Sequence, residues 1–121
     1  MPRDQFSLCH QIKEYIDANY KEHLTLTSIA DAFYLNKFYL SKMFKKEMGE
    51  TVNHYVTKRR IRKARELLSS KALSVEQVSD MVGFSDVTYF VKVFKKITGD
   101  TPKRRAEGEI NNATSNTNPK H

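Results

Sequence analysis

Cysteine, proline, glycine and tryptophan are scarce in this sequence of 121 residues, which holds one cysteine, three prolines, four glycines and no tryptophan. The single cysteine, Cys9, excludes an intrachain disulfide and, with four scattered histidines, offers no zinc-ligand spacing. We therefore expect neither a metal nor another cofactor. No apolar run approaches the roughly 20 residues of a membrane span, and the N-terminus lacks a signal peptide's apolar segment. These absences favour a cytoplasmic protein without membrane contact.

Acidic residues are also in the minority. Lysine and arginine number 21 against 14 for aspartate and glutamate, which gives a net charge of +7. This balance favours a polyanionic partner, although a merely soluble basic protein would have the same excess. The length suits one domain or two very small ones, and the 39% of hydrophobic residues suffice for a small core.

The chain repeats itself. Residues 24–51 match residues 73–101, first at an offset of 49 and later at an offset of 50, as in Phe44-Lys45-Lys46 and Phe94-Lys95-Lys96. The second copy therefore carries one extra residue, which we place between Asn36 and Tyr39. Each copy is predicted to form two short helices joined by a tight turn.

The second helices of the copies are predicted over about residues 37–48 and 86–98. Asn36 and Ser85 are suitable N-caps, and a glycine follows each helix at positions 49 and 99. The turns before these helices differ, because Tyr34 stands where the other copy has Gly83. Glycine suits a positive φ and tyrosine does not, so the first turn should differ in backbone or carry strain.

Further helices are predicted around the repeats. One covers about residues 6–20, where Cys9 lies on the apolar stripe and is expected to be a core residue rather than a reactive thiol. Another begins at the Thr101-Pro102 pair. The domains are then a first helix-turn-helix subdomain at 1–51, a linker helix at 52–70, a second subdomain at 71–106 and a disordered polar tail at 107–121.

The second helix of each copy should expose a cationic face. Leu40, Met43 and Phe44, and in the other copy Phe90, Val93, Phe94 and Ile97, occupy the core-facing positions. The opposite faces carry Phe38, Ser41, Lys42 and Lys45, and Thr88, Val91, Lys92 and Lys95. Cations, hydroxyls and apolar atoms without a carboxylate suit a helix in a DNA major groove, although a solvated helix face would also fit. Asp86 either accepts a hydrogen bond from a cytosine amino group or simply favours the helix N-terminus.

The length of the predicted linker helix can be compared with the distance between major-groove segments of DNA. Its 19 predicted residues correspond to about 28 Å, somewhat less than the roughly 34 Å between successive major-groove segments on one side of a duplex. Bending of the DNA would make up the difference. The stretch 58–65 holds six cations, which we expect to divide among buried contacts, phosphate contacts and solvated charge.

The segments at 60–68, 78–86 and 89–102 closely resemble the DNA-binding domain of the AraC/XylS family of bacterial transcription regulators. The resemblance covers about residues 8–106. It implies an all-α fold of seven helices, in which a long linker helix joins two helix-turn-helix subdomains built as homeodomain-like three-helix units. It also implies a monomeric unit that binds asymmetric double-stranded DNA sites, with RNA polymerase as a second partner. Arg105 and Ala106 depart from the family, which usually has an aromatic residue and arginine there.

The resemblance also assigns residues. The positions that read bases fall on Phe38, Ser41, Lys42, Val87, Thr88 and Lys92. Apart from the resemblance, our candidates for phosphate or groove-edge contacts are Asn36, Lys37, Lys45, Ser85, Val91 and Lys95. We therefore expect a sequence-specific DNA-binding transcription regulator that is not an enzyme. A basic helical module that binds an acidic protein is the alternative, and a catalytic protein that uses Cys9 is a weaker one.

Overall fold

The computed structural model describes residues 4–69 and 72–106, and all its regular structure there is helical. Six helices are complete: α1 (Gln5–Asn19), α2 (Leu26–Ala32), α3 (Lys37–Met48), α4 (Val52–Leu68), α5 (Val75–Met81) and α6 (Val87–Thr98). A seventh, α7, begins at residue 102 and is described as far as residue 106. The predicted all-α fold of seven helices is confirmed. The polar tail at 107–121 lies outside the described residues.

The chain divides into two compact units, residues 1–59 and residues 60–121, and the boundary falls inside α4. Unit 1 and unit 2 are used below for these two ranges. The linker helix ends at Leu68, earlier than predicted, because Ser69 turns back and its hydroxyl donates to the Glu66 carbonyl at 2.6 Å. At 17 residues, α4 is about 25 Å long rather than 28 Å.

The core of unit 1 is built on α1, whose apolar stripe is buried as the helical spacing predicts. Cys9 and Ile12 are fully buried there, which confirms the structural role expected for Cys9. The core consists of Leu8, Cys9, Ile12, Ile16, Ile29, Ala30, Leu40, Met43, Phe44, Val52 and Val56. Burial of these side chains supplies the main stabilisation of the unit.

Polar contacts join α1 to the first half of α4. The Tyr55 hydroxyl donates to Asp17 Oδ1 at 2.9 Å, and Arg59 Nε lies 3.5 Å from the same oxygen. The Arg59 guanidinium also stacks on Tyr20 at 4.3 Å from the ring centroid. These contacts orient the first half of α4 within unit 1.

The core of unit 2 contains aromatic rings in tilted and edge-to-face contact. Phe90 lies between Phe84 and Phe94, with ring centroids 5.1 and 5.7 Å away, and Pro102 at the start of α7 is also buried. The prediction that Ile97 faces the core was wrong. Ile97 lies in the last turn of α6, one turn beyond Phe94, and is 38% exposed.

Side-chain caps define the helix starts. Thr25 is the N-cap of α2 and Ser74 is the N-cap of α5, and each forms a capping box. Gly49 and Gly99 end α3 and α6 at φ of 77° and 86°, as predicted. The two copies therefore share their local construction.

Candidate nucleic-acid interface

The second helices of the two copies, which we predict to contact DNA bases, are α3 in unit 1 and α6 in unit 2 and are called the reading helices below. Asn36 is the N-cap of α3, as predicted, because Asn36 Oδ1 accepts hydrogen bonds from the Phe38 and Tyr39 amides at 2.8 and 3.2 Å. Lys42 and Lys45 are exposed, and Ser41 is half-buried beside them. The three buried positions of α3 are Leu40, Met43 and Phe44, so the predicted division into core face and exposed face is correct.

An exposed aromatic side chain lies at the start of α3. Phe38 is 69% exposed, and the Lys37 ammonium lies 5.4 Å from the centroid of its ring. Exposing an aromatic ring to water costs free energy. The Lys37 ammonium lies close enough to the ring of Phe38 for a cation–π interaction. Phe38 and Lys37 together therefore give this end of α3 both apolar contact area and attraction for phosphate.

The reading helix of unit 2 is α6, and its start differs from the prediction. We expected Ser85 as the N-cap and the helix from about residue 86. The N-cap is Asp86, whose Oδ1 accepts from the Thr88 amide at 2.9 Å, and α6 begins at Val87. A carboxylate is as good a cap as a hydroxyl and also favours the positive helix end. Ser85 is exposed and precedes the cap.

This correction also moves the extra residue of the second copy. Asn36 and Asp86 are equivalent caps fifty residues apart, and from here to the terminal glycines the two helices align without a gap. The extra residue therefore lies in the turn, before the cap. Lys37 is equivalent to Val87, and Phe38 is equivalent to Thr88.

The exposed face of α6 matches that of α3 at its cations. Thr88, Lys92 and Lys95 are exposed, while Val87 and Val91 are half-buried. The twelve residues of α6 include no acidic residue, and Asp86 is the acidic group at its start. The structure thus brings the predicted residues of each unit onto one surface of that unit's reading helix. Their contacts with bases or phosphates stay a prediction.

The turns before the reading helices each contain one residue with a positive φ. Tyr34 has a φ of 57°, a left-handed value that is rare outside glycine, and Gly83 has a φ of 102°. The amide of each donates to an aspartate carbonyl at 3.1 Å, Asp31 for Tyr34 and Asp80 for Gly83. From the sequence, we expected the first turn either to differ in backbone or to carry strain. The positive φ of Tyr34 shows that it carries strain.

The cations of α4 have different surroundings, which the sequence did not resolve. Lys58 lies 3.1 Å from Glu50 Oε1, Lys63 lies 3.4 Å from Glu66, and the Arg60 guanidinium lies 5.6 Å from the Phe84 ring centroid. Burial lowers the pKa of Arg60 from its ordinary value. Arg62 and Arg65 are exposed and have no ion pair among residues 4–69 and 72–106. These two arginines are the additional candidates for phosphate contacts.

Glu50 precedes the N-terminus of α4, and its carboxylate contacts two basic side chains. Its carboxylate lies 2.8 Å from His54 Nδ1 and 3.1 Å from Lys58. Burial alone would raise the pKa of Glu50, but the hydrogen bonds and charges of Lys58 and His54 outweigh it and lower the pKa. Glu50 is therefore held ionised.

The described residues were also compared with the requirements of metal, membrane and thiol chemistry. The described part of the chain contains no cluster of three or more potential metal ligands, and none of its helices is long and apolar enough to cross a membrane. Burial raises the pKa of the Cys9 thiol, which favours the unreactive protonated form. The candidate interface consists of the exposed surfaces of α3 and α6.

Two helix-turn-helix units with exposed basic helices define a DNA-binding protein class. The profile of a helix-turn-helix domain family matches residues 29–107. The chain belongs to the AraC/XylS family of helix-turn-helix transcription regulators, as the sequence motifs indicated.

Individual relatives agree with this membership. The chain is 37% identical over 93 residues to the bifunctional transcriptional activator/DNA repair enzyme AdaA of Bacillus subtilis, covering 77% of this chain and 44% of AdaA. It is 39% identical over 89 residues to the regulatory protein PocR of Salmonella typhimurium, covering 74% of this chain and 29% of PocR. The chain therefore spans less than half the length of these relatives.

A solved structure shows the same fold. The C-terminal domain of AraT, a response regulator from Geobacillus stearothermophilus, has a TM-score of 0.79 and 33% identity, and the match covers 84% of each chain. The similarity extends across both helix-turn-helix units. The chain is thus a DNA-binding helix-turn-helix domain of the AraC/XylS type.

Proposed function

We propose that this chain binds an asymmetric double-stranded DNA site as a monomer, with α3 and α6 in two successive major-groove segments. The observation that carries the proposal is the repetition of one exposed arrangement. Each unit has a capped twelve-residue helix with exposed lysines at equivalent positions, Lys42 and Lys45 in unit 1 and Lys92 and Lys95 in unit 2. A single basic helix is common on protein surfaces, whereas two equivalent ones in one small chain favour a repeating polyanion.

The two reading helices present different groups to the bases. In α3, Phe38 offers apolar contact, Ser41 a hydroxyl and Lys42 a cation that suits guanine O6 and N7. In α6, Thr88 takes the place of Phe38, so a hydroxyl and a methyl group replace an aromatic ring. Because the chemistry differs at equivalent positions, each unit should prefer a different base sequence. A monomer would then recognise a site without twofold symmetry.

Lys45 and Lys95, one turn further along their helices, suit phosphate contacts, and Arg62 and Arg65 add charge on α4. Contacts of this kind release counterions and make the affinity fall with salt concentration. They set the position of the protein on the duplex without reading its sequence.

The length of α4 supports the assignment of two groove segments to one chain. Its 17 residues span about 25 Å, against roughly 34 Å for one turn of DNA. Bending of the duplex would supply the remaining distance. Smooth bending of a site of this size by 40–90° costs on the order of 1–6 kcal/mol, which additional contacts can offset.

We further propose that the chain acts without catalysis of its own, in the cytoplasm, and that RNA polymerase is its second partner. The buried Cys9 and the family membership support the first point. The transcriptional role of the family supports the other two.

Fluorescence anisotropy with random duplexes and with a duplex selected from a random library tests this function. We expect affinity for both to fall steeply with salt and the selected duplex to bind more tightly. Lys42→Ala should relax base preference in one half of the site and Lys92→Ala in the other, each at about 1–3 kcal/mol. Lys21→Ala, which removes an exposed lysine outside both reading helices, is the matched control and should leave base preference unchanged.

The alternative that the sequence left open, a basic module for an acidic protein, gives a different result. Selection from a random library would then give no duplex that binds more tightly than random DNA. Any residual DNA affinity would not depend on Lys42 or Lys92. That outcome would refute the proposed function.

A further inference from the structure

The two reading helices have caps of equal shape and different charge. Asn36 caps α3 through Oδ1, and Asp86 caps α6 through Oδ1, and both side chains are exposed. Asparagine and aspartate cap helices about equally well. The charge of Asp86 favours the positive end of α6, but the hydrogen bond of the cap requires only one of its two carboxylate oxygens.

The second polar atom of each cap side chain differs in what it can bind. With Oδ1 engaged, Asn36 retains its amide NH₂, which donates, while Asp86 retains a carboxylate oxygen, which only accepts. Within residues 4–69 and 72–106, no ion pair or side-chain partner occupies Asp86 Oδ2. This oxygen carries negative charge at the start of a helix whose other charged residues are lysines.

Such a charge is unfavourable near DNA unless it meets a donor. Phosphate oxygens, guanine O6 and N7, and thymine O4 are all acceptors and repel a carboxylate. Cytosine N4 and adenine N6 carry the amino groups of the major groove, and adenine also places its N7 acceptor beside that group. Cytosine is consequently the base that suits a lone carboxylate oxygen best.

We propose that Asp86 is a specificity-determining residue, which selects one cytosine in the half-site of unit 2 and rejects the other bases by repulsion. The proposal rests on the proposed DNA-binding function and deepens it. Asp86 then both caps α6 through Oδ1 and reads the base through Oδ2. Its negative charge lowers the affinity for DNA in general and raises discrimination, as repulsive elements do in specific interfaces.

Asp86→Asn isolates this role, because it keeps the cap and replaces the accepting oxygen by an amide that donates. The melting temperature should change little, because asparagine caps as well as aspartate and only the interaction of the charge with the helix end is lost. A small change would verify that the fold and the cap remain. Sites would be selected from a random duplex library with the unaltered protein and with the variant. Four duplexes that differ at the one selected base pair would then be titrated by anisotropy.

The unaltered protein should prefer the cytosine duplex on the order of tenfold over the other three. Asp86→Asn should bind the four duplexes within about twofold of one another, while base preference elsewhere in the site stays as it was. Glu76→Gln removes the same charge from an exposed residue of unit 2 outside α6 and should leave the cytosine preference intact.

The results separate this proposal from the function on which it rests. If the unaltered protein selects a site but Asp86→Asn keeps the same preference at every position, the residue is a cap and the specificity role is refuted. A uniform rise in affinity with unchanged preference would refute it too, since it would show general repulsion only. If the unaltered protein selects no duplex, the proposed function itself fails.

Discussion

Replacement of Tyr34 by glycine should stabilise the protein. Tyr34 holds a left-handed φ of 57°, and its side chain is 97% exposed. Such a conformation costs an L-residue about 1–2 kcal/mol, because Cβ crowds the following carbonyl oxygen. The substitution removes this strain and sacrifices almost no buried surface. Gly83 adopts the equivalent turn with an equivalent hydrogen bond, so the backbone is compatible with glycine.

The higher conformational entropy of glycine in the unfolded chain reduces the stability gained by Tyr34→Gly. Glycine loses more conformational freedom on folding than other residues do, which returns about 0.5–1 kcal/mol. The net expectation for Tyr34→Gly is a stabilisation of about 0.5–1 kcal/mol. For a domain of this size, that corresponds to a rise of about 2–6 °C in melting temperature.

Thermal and urea unfolding followed by circular dichroism would measure this change. Tyr34→Asn should lie between tyrosine and glycine, because asparagine tolerates the left-handed region better than most residues do. Gly83→Ala is the converse variant and should destabilise by about 1–2 kcal/mol, because Gly83 has a φ of 102°. A lower stability for Tyr34→Gly would refute the reasoning, since it would mean that the tyrosine side chain contributes more than its backbone strain costs.

Further predictions concern charge, core and tail. Lys45→Ala and Lys95→Ala should each lower the slope of log affinity against log salt by about one unit and weaken all duplexes about equally, and an unchanged slope would contradict phosphate contact. Ile12→Ala should cost about 2–5 kcal/mol in urea unfolding, because Ile12 is fully buried. Because the pKa of Glu50 is lower in the folded state than in the unfolded state, ionised Glu50 stabilises the fold at pH values above its unfolded-state pKa. This stabilisation is lost as the pH falls through the folded-state pKa. The unaltered protein should therefore be more stable than Glu50→Gln at neutral pH, and urea unfolding should show that this difference vanishes in acid. Deletion of residues 107–121 should leave melting temperature and DNA affinity nearly unchanged.

The helices and the core followed from local patterns. Apolar spacing identified the buried side of α1 and α3, and the capping residue Asn36 located the start of α3. These features depend on neighbours within one or two helical turns, and sequence shows such neighbours directly. Ile97 escaped the pattern because periodicity gives the side of a helix but not how far along the helix the core extends.

The start of α6 shows a different limit. Ser85 and Asp86 are both good N-caps in adjacent positions, and only the backbone shows which side chain accepts from the first free amides. The choice of cap also moved the extra residue of the second copy into the turn. Residue types could not settle either point.

The surroundings of the α4 cations could not be read from the sequence. Six cations in eight residues point around the whole helix, and their roles depend on residues such as Glu50 and Phe84 that lie outside the run. The structure leaves Arg62 and Arg65 as the exposed pair. Long side chains of this kind acquire their roles from tertiary contacts.

The most direct test of the two-groove account is the affinity for a selected site lengthened by five base pairs between its halves. Half a helical turn would move one half to the opposite side of the duplex, where the second reading helix cannot reach it. We expect anisotropy titrations to show binding close to the non-specific level, because one unit alone makes too few contacts for specificity. If the lengthened duplex binds as tightly as the original, the two helices do not read successive groove segments and the mechanism is contradicted.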